Sequence, residues 1–378
     1  LNWINNNNKY NKNSWEFDTT AKRIIAWLSN HQLTYEDSDQ VYKTKFDHII
    51  QKQANHLLNE INNPNQIENK LIGCAAIILV GLAYKNEKNY IEVGLNYLKN
   101  IAKSSIDGQG FTRSRNIQEL IFYLKYFIII REWFKESHNI IPEHIDETIF
   151  YLGSSYAFIW QNIKQDLFFN GNFSSENNGF DQYLKRFGYT FKNQINETGG
   201  YAILKNKKII LAMDIGSNPN KNFSQNYQAG ALSFEIFSNE KKLLSNSGYF
   251  PDNRNKLNKL SKSSALQNTL IIEDCSSCNF IKQNSYFVVD NGLKVLKKNI
   301  VFETNYWKIS ATHDGYLKRF GLNHEREIEF YPEQSKFIGY DKILRKNPNK
   351  EIRFDIRFHL NPNSKVMKTQ DKKYVLID

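Results

Sequence analysis

The sequence predicts an α+β protein of two domains, with packed helical hairpins first and an antiparallel β-sandwich second. Three observations lead there. A chain of 378 residues carries enough apolar material for two ordinary cores. From about Thr19 to Gln165 the apolar residues recur at helical spacing. Beyond about Gly188 that pattern gives way to short runs rich in β-branched and aromatic residues. The change falls in the polar stretch from Asn170 to Gly200, where SSENNG and NETGG mark loops, so the division is placed between residues 1–186 and 187–378.

In the first half, Ile24, Trp27 and Leu28 fall on one helix face. Tyr42, Phe46, Ile49, Ile50, Leu57 and Ile61 form a second such face, and Ile91, Leu95, Leu98 and Ile101 a third. Short polar breaks at Asn62-Asn63-Pro64-Asn65, Asn86-Glu87-Lys88-Asn89 and Asp107-Gly108-Gln109-Gly110 give the rhythm of helical hairpins. The apolar run Leu71 to Tyr84 is too short to span a bilayer, and Lys125 interrupts the run from Leu120 to Ile130. Both read as buried helices, and no membrane span is expected. No repeat of fixed length is visible, which disfavours a regular solenoid.

In the second half, strands are expected at Tyr201 to Leu204, Ile209 to Met213, Ala231 to Phe237, Thr269 to Ile272, Tyr286 to Val289, Trp307 to Thr312, Ile328 to Tyr331 and Ile352 to Leu360. Many strands at close spacing, with no long helical pattern between them, point to a sandwich rather than a parallel sheet.

Lys and Arg number 50 against 39 Asp and Glu, a formal charge of +11 that favours an anionic partner: nucleic acid, an anionic membrane surface or an acidic glycan. Enrichment in Asn, Lys and Ile, as an AT-rich genome produces, is the competing source of that charge. Nucleic acid is disfavoured, since there is no zinc-finger spacing, RNP motif or basic helical run. Cys275-Ser-Ser-Cys278 has metal or redox spacing but lacks a second pair or a nearby His, so a structural or incidental role is expected. The opening LNWINNNNKYNKNSWEF has no basic segment followed by an apolar one, so a signal peptide is read as absent or already removed, and export is left open.

One series of motifs stands out. Tyr227-Gln228-Ala229-Gly230-Ala231-Leu232-Ser233-Phe234-Glu235-Ile236 is followed by Asn246-Ser247-Gly248 and then Gln267-Asn268-Thr269-Leu270. The trio resembles the signature of heparinase II/III-like β domains: H-A-D/G-x-L-S-F-E-L, then N-S/C-G, then H-N-T-V. His313-Asp314-Gly315-Tyr316 with Arg319-Phe320-Gly321, and then Arg357-Phe358-His359-Leu360, resemble later stretches of that family. In the helical half, Asn55-His56-Leu57-Leu58 resembles its G-N-H-L-L, and Asp107 to Ser114 its D-G-G-x-x-x-R-S/N. Ser114-Arg115-Asn116 is similar to a branch with S-R-N. The resemblance covers nearly the whole chain. It implies that the helical half is an incomplete α/α toroid, that the ancestral activity is β-elimination on an acidic, uronic-acid-containing polysaccharide, and that the protein works in the periplasm or cell envelope.

Such a lyase neutralises the sugar carboxylate, removes the C5 proton and delivers a proton to the departing oxygen. By resemblance Asn55 takes the first task, since an amide hydrogen-bonds a carboxylate without adding negative charge. Arg113 would grip an acidic sugar through paired hydrogen bonds, and Asn116 and Arg319 lie in matched stretches as further substrate contacts. His56, the next residue on the same helix, points about 100° away from Asn55 and reads as a supporting residue there. A catalytic Tyr is expected a few residues after Arg113, but the stretch is Ser114-Arg115-Asn116-Ile117-Gln118, with Tyr123 the nearest substitute.

A sharper departure concerns histidine. The eight are His31, His48, His56, His138, His144, His313, His324 and His359, leaving none where the family places its proton-transferring His and the His ligands of a structural zinc. Asn226, Gln228 and Gln267 stand at those positions, where their amides can still hydrogen-bond a sugar as substrate contacts, and Asn246 stands where zinc-binding relatives have Asp. Carboxamides are poor zinc ligands and no general base near neutral pH, so no metal or other cofactor is expected. Tyr227, His313 and Tyr316 are the candidates to take over proton transfer, while the bland reading of His313 is a turn-holding residue at the sandwich edge. Two functions remain: a lyase with relocated proton transfer, or a catalytically altered relative that binds an acidic glycan or envelope polysaccharide. Fold does not choose between them.

Overall fold

A computed structural model describes residues 2–63, 66–84, 88–161, 166–172, 178–345, 351–371 and 375–377. Pro64 and Asn65, Asn86 and Glu87, Gln165, and residues 174–177 of the SSENNG loop lie outside the described residues. Eight helices come first among the described residues: α1 (Asn2–Asn6), α2 (Phe17–Ser29), α3 (Gln40–Glu60), α4 (Ile67–Ala83), α5 (Lys88–Ser105), α6 (Ile117–Glu136), α7 (Glu143–Tyr156) and α8 (Asn178–Arg186).

Helix α3 starts where the Asp39 carboxylate accepts the Tyr42 N–H at 2.8 Å, satisfying one donor the helix leaves open. It buries Phe46, Ile49, Ile50, Ala54 and Leu57. Every residue of α4 from Leu71 to Gly81 is buried, which is why that stretch reads as a continuous apolar run. Helix α4 packs against α2 and α5. A Cβ on Gly94 would lie 2.5 Å from Ile78 Cγ1, and one on Gly81 2.6 Å from Ile91 Cγ1, so the α4–α5 approach depends on two missing side chains. In α6, Lys125 is exposed while Leu124, Phe127 and Ile128 are buried. No described helix is long and apolar enough to cross a membrane.

By packing, the chain divides into Leu1–Asp107 with Ile121–Leu152, and Gly108–Leu120 with Gly153–Asp378. The secondary structure itself changes from helix to strand between Arg186 and Glu197. The second unit therefore contains the segment from Gly108 to Leu120 and α8 along with all the described strands.

The strands are β1 (Glu197–Thr198), β2 (Tyr201–Lys205), β3 (Ile209–Asp214), β4 (Phe234–Ser238), β5 (Lys241–Leu244), β6 (Leu270–Ile272), β7 (Asn279–Gln283), β8 (Tyr286–Asn291), β9 (Val295–Phe302), β10 (Trp307–His313), β11 (Leu322–Tyr331), β12 (Lys336–Arg345), β13 (Phe354–Ile356), β14 (Val366–Lys368) and β15 (Val375–Ile377). Two short helices, α9 (Lys256–Ser261) and α10 (Leu317–Phe320), interrupt them. One sheet runs β1-β2-β3-β4-β5 and a second β12-β11-β10-β9, with neighbours antiparallel throughout.

Ala202, Leu204, Leu211, Met213, Phe234 and Ile236 of the first sheet meet Trp307, Ile309, Ala311, Ile328 and Phe330 of the second in one core. This is the expected sandwich. Strand β11 alternates buried and half-buried along its whole length, and Ile309 of β10 stands opposite Ile328. The expected runs overlap β2, β3, β4, β6, β8, β10, β11 and β13. Strands β1, β5, β7, β9, β12, β14 and β15 have no counterpart among them. β9 and β12 are the two edges of their sheet and are mostly exposed or half-buried, so they tolerate the Lys, Asn, Asp and Gly that hide a strand pattern.

Candidate functional site

In the helical unit, Asn55 lies on the face of α3 opposite the core and is exposed, while Ala54 and Leu57 beside it are buried. The hydroxyl of Tyr90, near the start of α5, donates to Asn55 Oδ1 at 2.7 Å. His56 turns the other way: its Nε2 donates to the Trp15 carbonyl at 2.9 Å, and its ring lies among Tyr10 and Trp15, with centroids 5.6 and 5.5 Å away. Asn55 thus offers a polar group to solvent, and His56 fastens the segment before α2.

In the sandwich unit, the turn before β4 carries the motif amides. Asn226 is half-exposed, and its Oδ1 accepts from the Tyr249 hydroxyl at 3.0 Å, which itself accepts from Asn258 Nδ2 at 2.9 Å. Gln228 is buried; its Nε2 donates to Gly248 O at 3.0 Å and Ser261 O at 2.6 Å, and its Oε1 accepts from Gly171 N at 3.3 Å. Gln267 Nε2 donates to the same Ser261 O at 3.4 Å. Asn246 Oδ1 accepts from Asn268 N at 2.8 Å. The buried Asn246 Nδ2 has no hydrogen-bond partner among the described residues.

Lys262 follows Ser261 and is buried; its ammonium donates to the carbonyls of Gln225 and Tyr227, the residues on either side of Asn226. It also faces the rings of Tyr249 and Phe280 at 5.3 and 5.4 Å. Burial lowers its pKa to about 7, and no carboxylate pairs with it among the described residues.

Tyr227 is buried in a cluster with Ala229, Ala231, Cys278, Val289 and Leu293, and burial raises its phenol pKa well above the ordinary value. Tyr316 is buried too, its hydroxyl donating to Leu270 O at 3.0 Å. His313 ends β10, fully buried. Its Nδ1 accepts the Gly315 N–H at 3.0 Å, so the ring proton sits on Nε2, 3.2 Å from His324 Nδ1; His324 Nε2 then donates to Asp341 Oδ1 at 2.6 Å. Asp341 also pairs with Arg326, whose Nη1 donates to Leu232 O and Asn268 O at 3.0 and 2.6 Å. The chain from Gly315 to Arg326 ties β10, β11 and β12 to the motif segments. A proton carrier must reach its substrate, and these three side chains spend their polar atoms or their surface inside the sandwich.

Arg113 and Arg319 are exposed, and Arg319 bonds Asn279 Oδ1. Asn116 is buried, its Oδ1 accepting from Gln118 N at 2.8 Å as a turn opening α6. Its neighbour Arg115 is the cation of that stretch with a buried role. Held at φ 60°, it reaches Asp214 Oδ1 at 2.6 Å and the carbonyls of Gly199, Gly200 and Ser217. Arg115, Asn116, Gln228 and Gln267, the last three expected as substrate contacts, are therefore buried among polar partners and not presented to a sugar, whereas Asn226 is half-exposed and Arg319 exposed. Asn55 and Arg113 remain exposed, in different packing units.

Residues 196–378 match the family described as heparinase II/III-like, C-terminal. The chain carries a heparinase II/III-like domain. This heparinase II/III-like protein is 22% identical to FtsZ-localized protein C of Caulobacter vibrioides, over 98% of its own length and 66% of that protein's. Its fold matches the crystal structure of heparinase III with a TM-score of 0.73 at 18% identity, covering 99% of this chain and 62% of that one. It also matches a mutant of the heparan sulfate lyase HepC from Pedobacter heparinus, with a TM-score of 0.76 at 13% identity over 99% and 61%. The chain thus spans about two thirds, or slightly less, of the proteins it matches. The shared fold is a helical toroid followed by an antiparallel sandwich.

A structural zinc does not fit the residues at the positions that resemblance assigns to it. Gln228 is bonded at both ends of its amide, the Asn246 oxygen is engaged, and Gln267 donates to a carbonyl. Zinc takes thiolate, imidazole or carboxylate donors. Tyr90, Tyr249 and Lys262 were not singled out in the sequence. Tyr249 directly follows the Asn246-Ser247-Gly248 motif, which is the one local cue; Tyr90 and Lys262 are recognised only by what they touch.

Proposed function

We propose that this heparinase II/III-like protein binds an acidic, uronic-acid-containing polysaccharide and no longer carries the histidine-based proton transfer of a polysaccharide lyase. One observation carries the reading: Asn226, at the position the resemblance gives to a proton-transferring His, is a carboxamide bonded to Tyr249, while Tyr227, Tyr316 and His313 are buried. Glycan binding is supported by the family fold, by exposed Asn55 and Arg113, and by the net charge of +11. The amide framework supports a site that needs no metal.

A second reading, β-elimination with relocated proton transfer, draws on Tyr249, whose hydroxyl lies 3.0 Å from Asn226 Oδ1. Burial raises the Tyr249 pKa, against the Asn258 hydrogen bond, which weighs against it as a base. The two readings separate on a panel of acidic polysaccharides, following both binding and the ultraviolet absorbance of an unsaturated uronate product. Binding without product supports the first. Product that disappears in Tyr249→Phe establishes the second, and neither binding nor product removes both.

A further inference from the structure

We propose that Tyr90 is a positioning residue that fixes the Asn55 side-chain amide with its NH2 group outward, so that this position selects an anionic group offering only acceptors, such as a sugar carboxylate. The inference rests on the acidic-glycan reading and adds its means of selection. Tyr90 is 4% exposed, and its hydroxyl proton is committed to Asn55 Oδ1 at 2.7 Å. Asn55 itself is exposed.

A free asparagine side chain presents either its carbonyl or its NH2 to a ligand, and so accommodates hydroxyl donors and carboxylate acceptors alike. With the oxygen held by a buried phenol, the two N–H groups face outward. An ionised carboxylate accepts a charge-assisted hydrogen bond there; a hydroxymethyl group in its place gains much less. Pre-orientation also removes the cost of ordering the amide on binding.

The same helices provide an internal control. Seven residues further along each, the Tyr97 hydroxyl donates to Asn62 Oδ1 at 3.1 Å, just beyond the end of α3. That second rung has the same chemistry and does not touch Asn55. A purely structural role predicts similar consequences for losing either rung.

The test measures calorimetric binding of a defined uronate oligosaccharide, and of its carboxyl-reduced counterpart, by the full chain and by Asn55→Ala, Tyr90→Phe and Tyr97→Phe. The Asn55 side-chain NH2 resonances, assigned by their loss in Asn55→Ala, are followed in parallel. Uronate affinity in Tyr90→Phe should fall about tenfold, roughly one charge-assisted hydrogen bond, with carboxyl-reduced binding unchanged and Tyr97→Phe like wild type. The NH2 resonances should move in Tyr90→Phe only. Full affinity in Tyr90→Phe, equal losses in both tyrosine variants, or unmoved resonances overturn the role of Tyr90. If Asn55→Ala abolishes uronate binding while Tyr90→Phe keeps full wild-type affinity, the glycan reading stands and the Tyr90 inference falls; if wild type binds no uronate, both fall.

Discussion

Gln228 and Gln267 direct their side-chain nitrogens at one acceptor, the carbonyl oxygen of Ser261, at 2.6 and 3.4 Å. Two segments that the resemblance assigns to a zinc site share a backbone oxygen here. The next residue, Lys262, adds a buried amino group that donates to the carbonyls flanking Asn226.

The first expectation concerns metal. The protein as purified should carry no stoichiometric zinc by elemental analysis, and its unfolding temperature should change by less than about 1 °C with a strong chelator, because no cluster of His, Cys, Asp and Glu suited to a metal occurs among the described residues. A clear drop in unfolding temperature on chelation would falsify the amide framework as the sole tie.

Lys262 sets a second. Its pKa falls from 10.5 to about 7 in the folded chain, so between those values the unfolded chain holds a proton that the folded chain lacks. Stability therefore rises with pH across that window, by up to about 1.4 kcal/mol per pH unit from this group, and is insensitive to it below about 7. Denaturant melts between pH 7 and 10 should show that rise in wild type and its loss in Lys262→Met. A slope unchanged by the substitution counts against it.

Arg115 sets a third. Burial opposes its charge, but Asp214 beside it outweighs that and raises the guanidinium pKa. Arg115→Ala leaves Asp214 as a buried, uncompensated carboxylate and should cost about 3–5 kcal/mol. Arg115→Lys should recover part of this, since it restores charge but not the fork that spans Asp214 and three carbonyls. Chemical denaturation measures both; a loss below about 1 kcal/mol for Arg115→Ala contradicts the role.

The histidine pair supplies the fourth. Burial lowers the pKa of His313 and of His324, for the latter despite its bond to Asp341. Both take up a proton less readily in the folded chain than in the unfolded chain, whose rings protonate below the ordinary value of 6.5. Stability from this source is present above that pH and is lost as pH falls, at up to about 1.4 kcal/mol per pH unit for each ring. Melts from pH 7 down to 5 should steepen accordingly, and His313→Gln should make the decline shallower. An identical decline in the variant locates the acid sensitivity elsewhere.

The fold was largely legible from pattern. The α4 run from Leu71 to Gly81 is apolar because all its faces are buried, and β10 and β11 carry the alternation that one buried sheet face imposes. Burial and period are local consequences of the fold and are written residue by residue. β9 and β12 escaped for the complementary reason: as sheet edges they gain their place from backbone pairing, which any side chain permits.

The sequence by itself determined a helical half, a sandwich half, a family likeness and the absence of histidine from the motif positions. Only tertiary structure decided what the motif residues do. Asn55 and His56 are neighbours in one helix, yet one faces solvent and the other a Trp15 carbonyl. Tyr227 and Tyr249 are equally plausible tyrosines by type, yet one fills a core and the other reaches Asn226. A side chain's chemistry is set by its identity, but its availability depends on which distant segments cover it, and contacts between residues far apart in sequence leave no periodic trace in either segment alone.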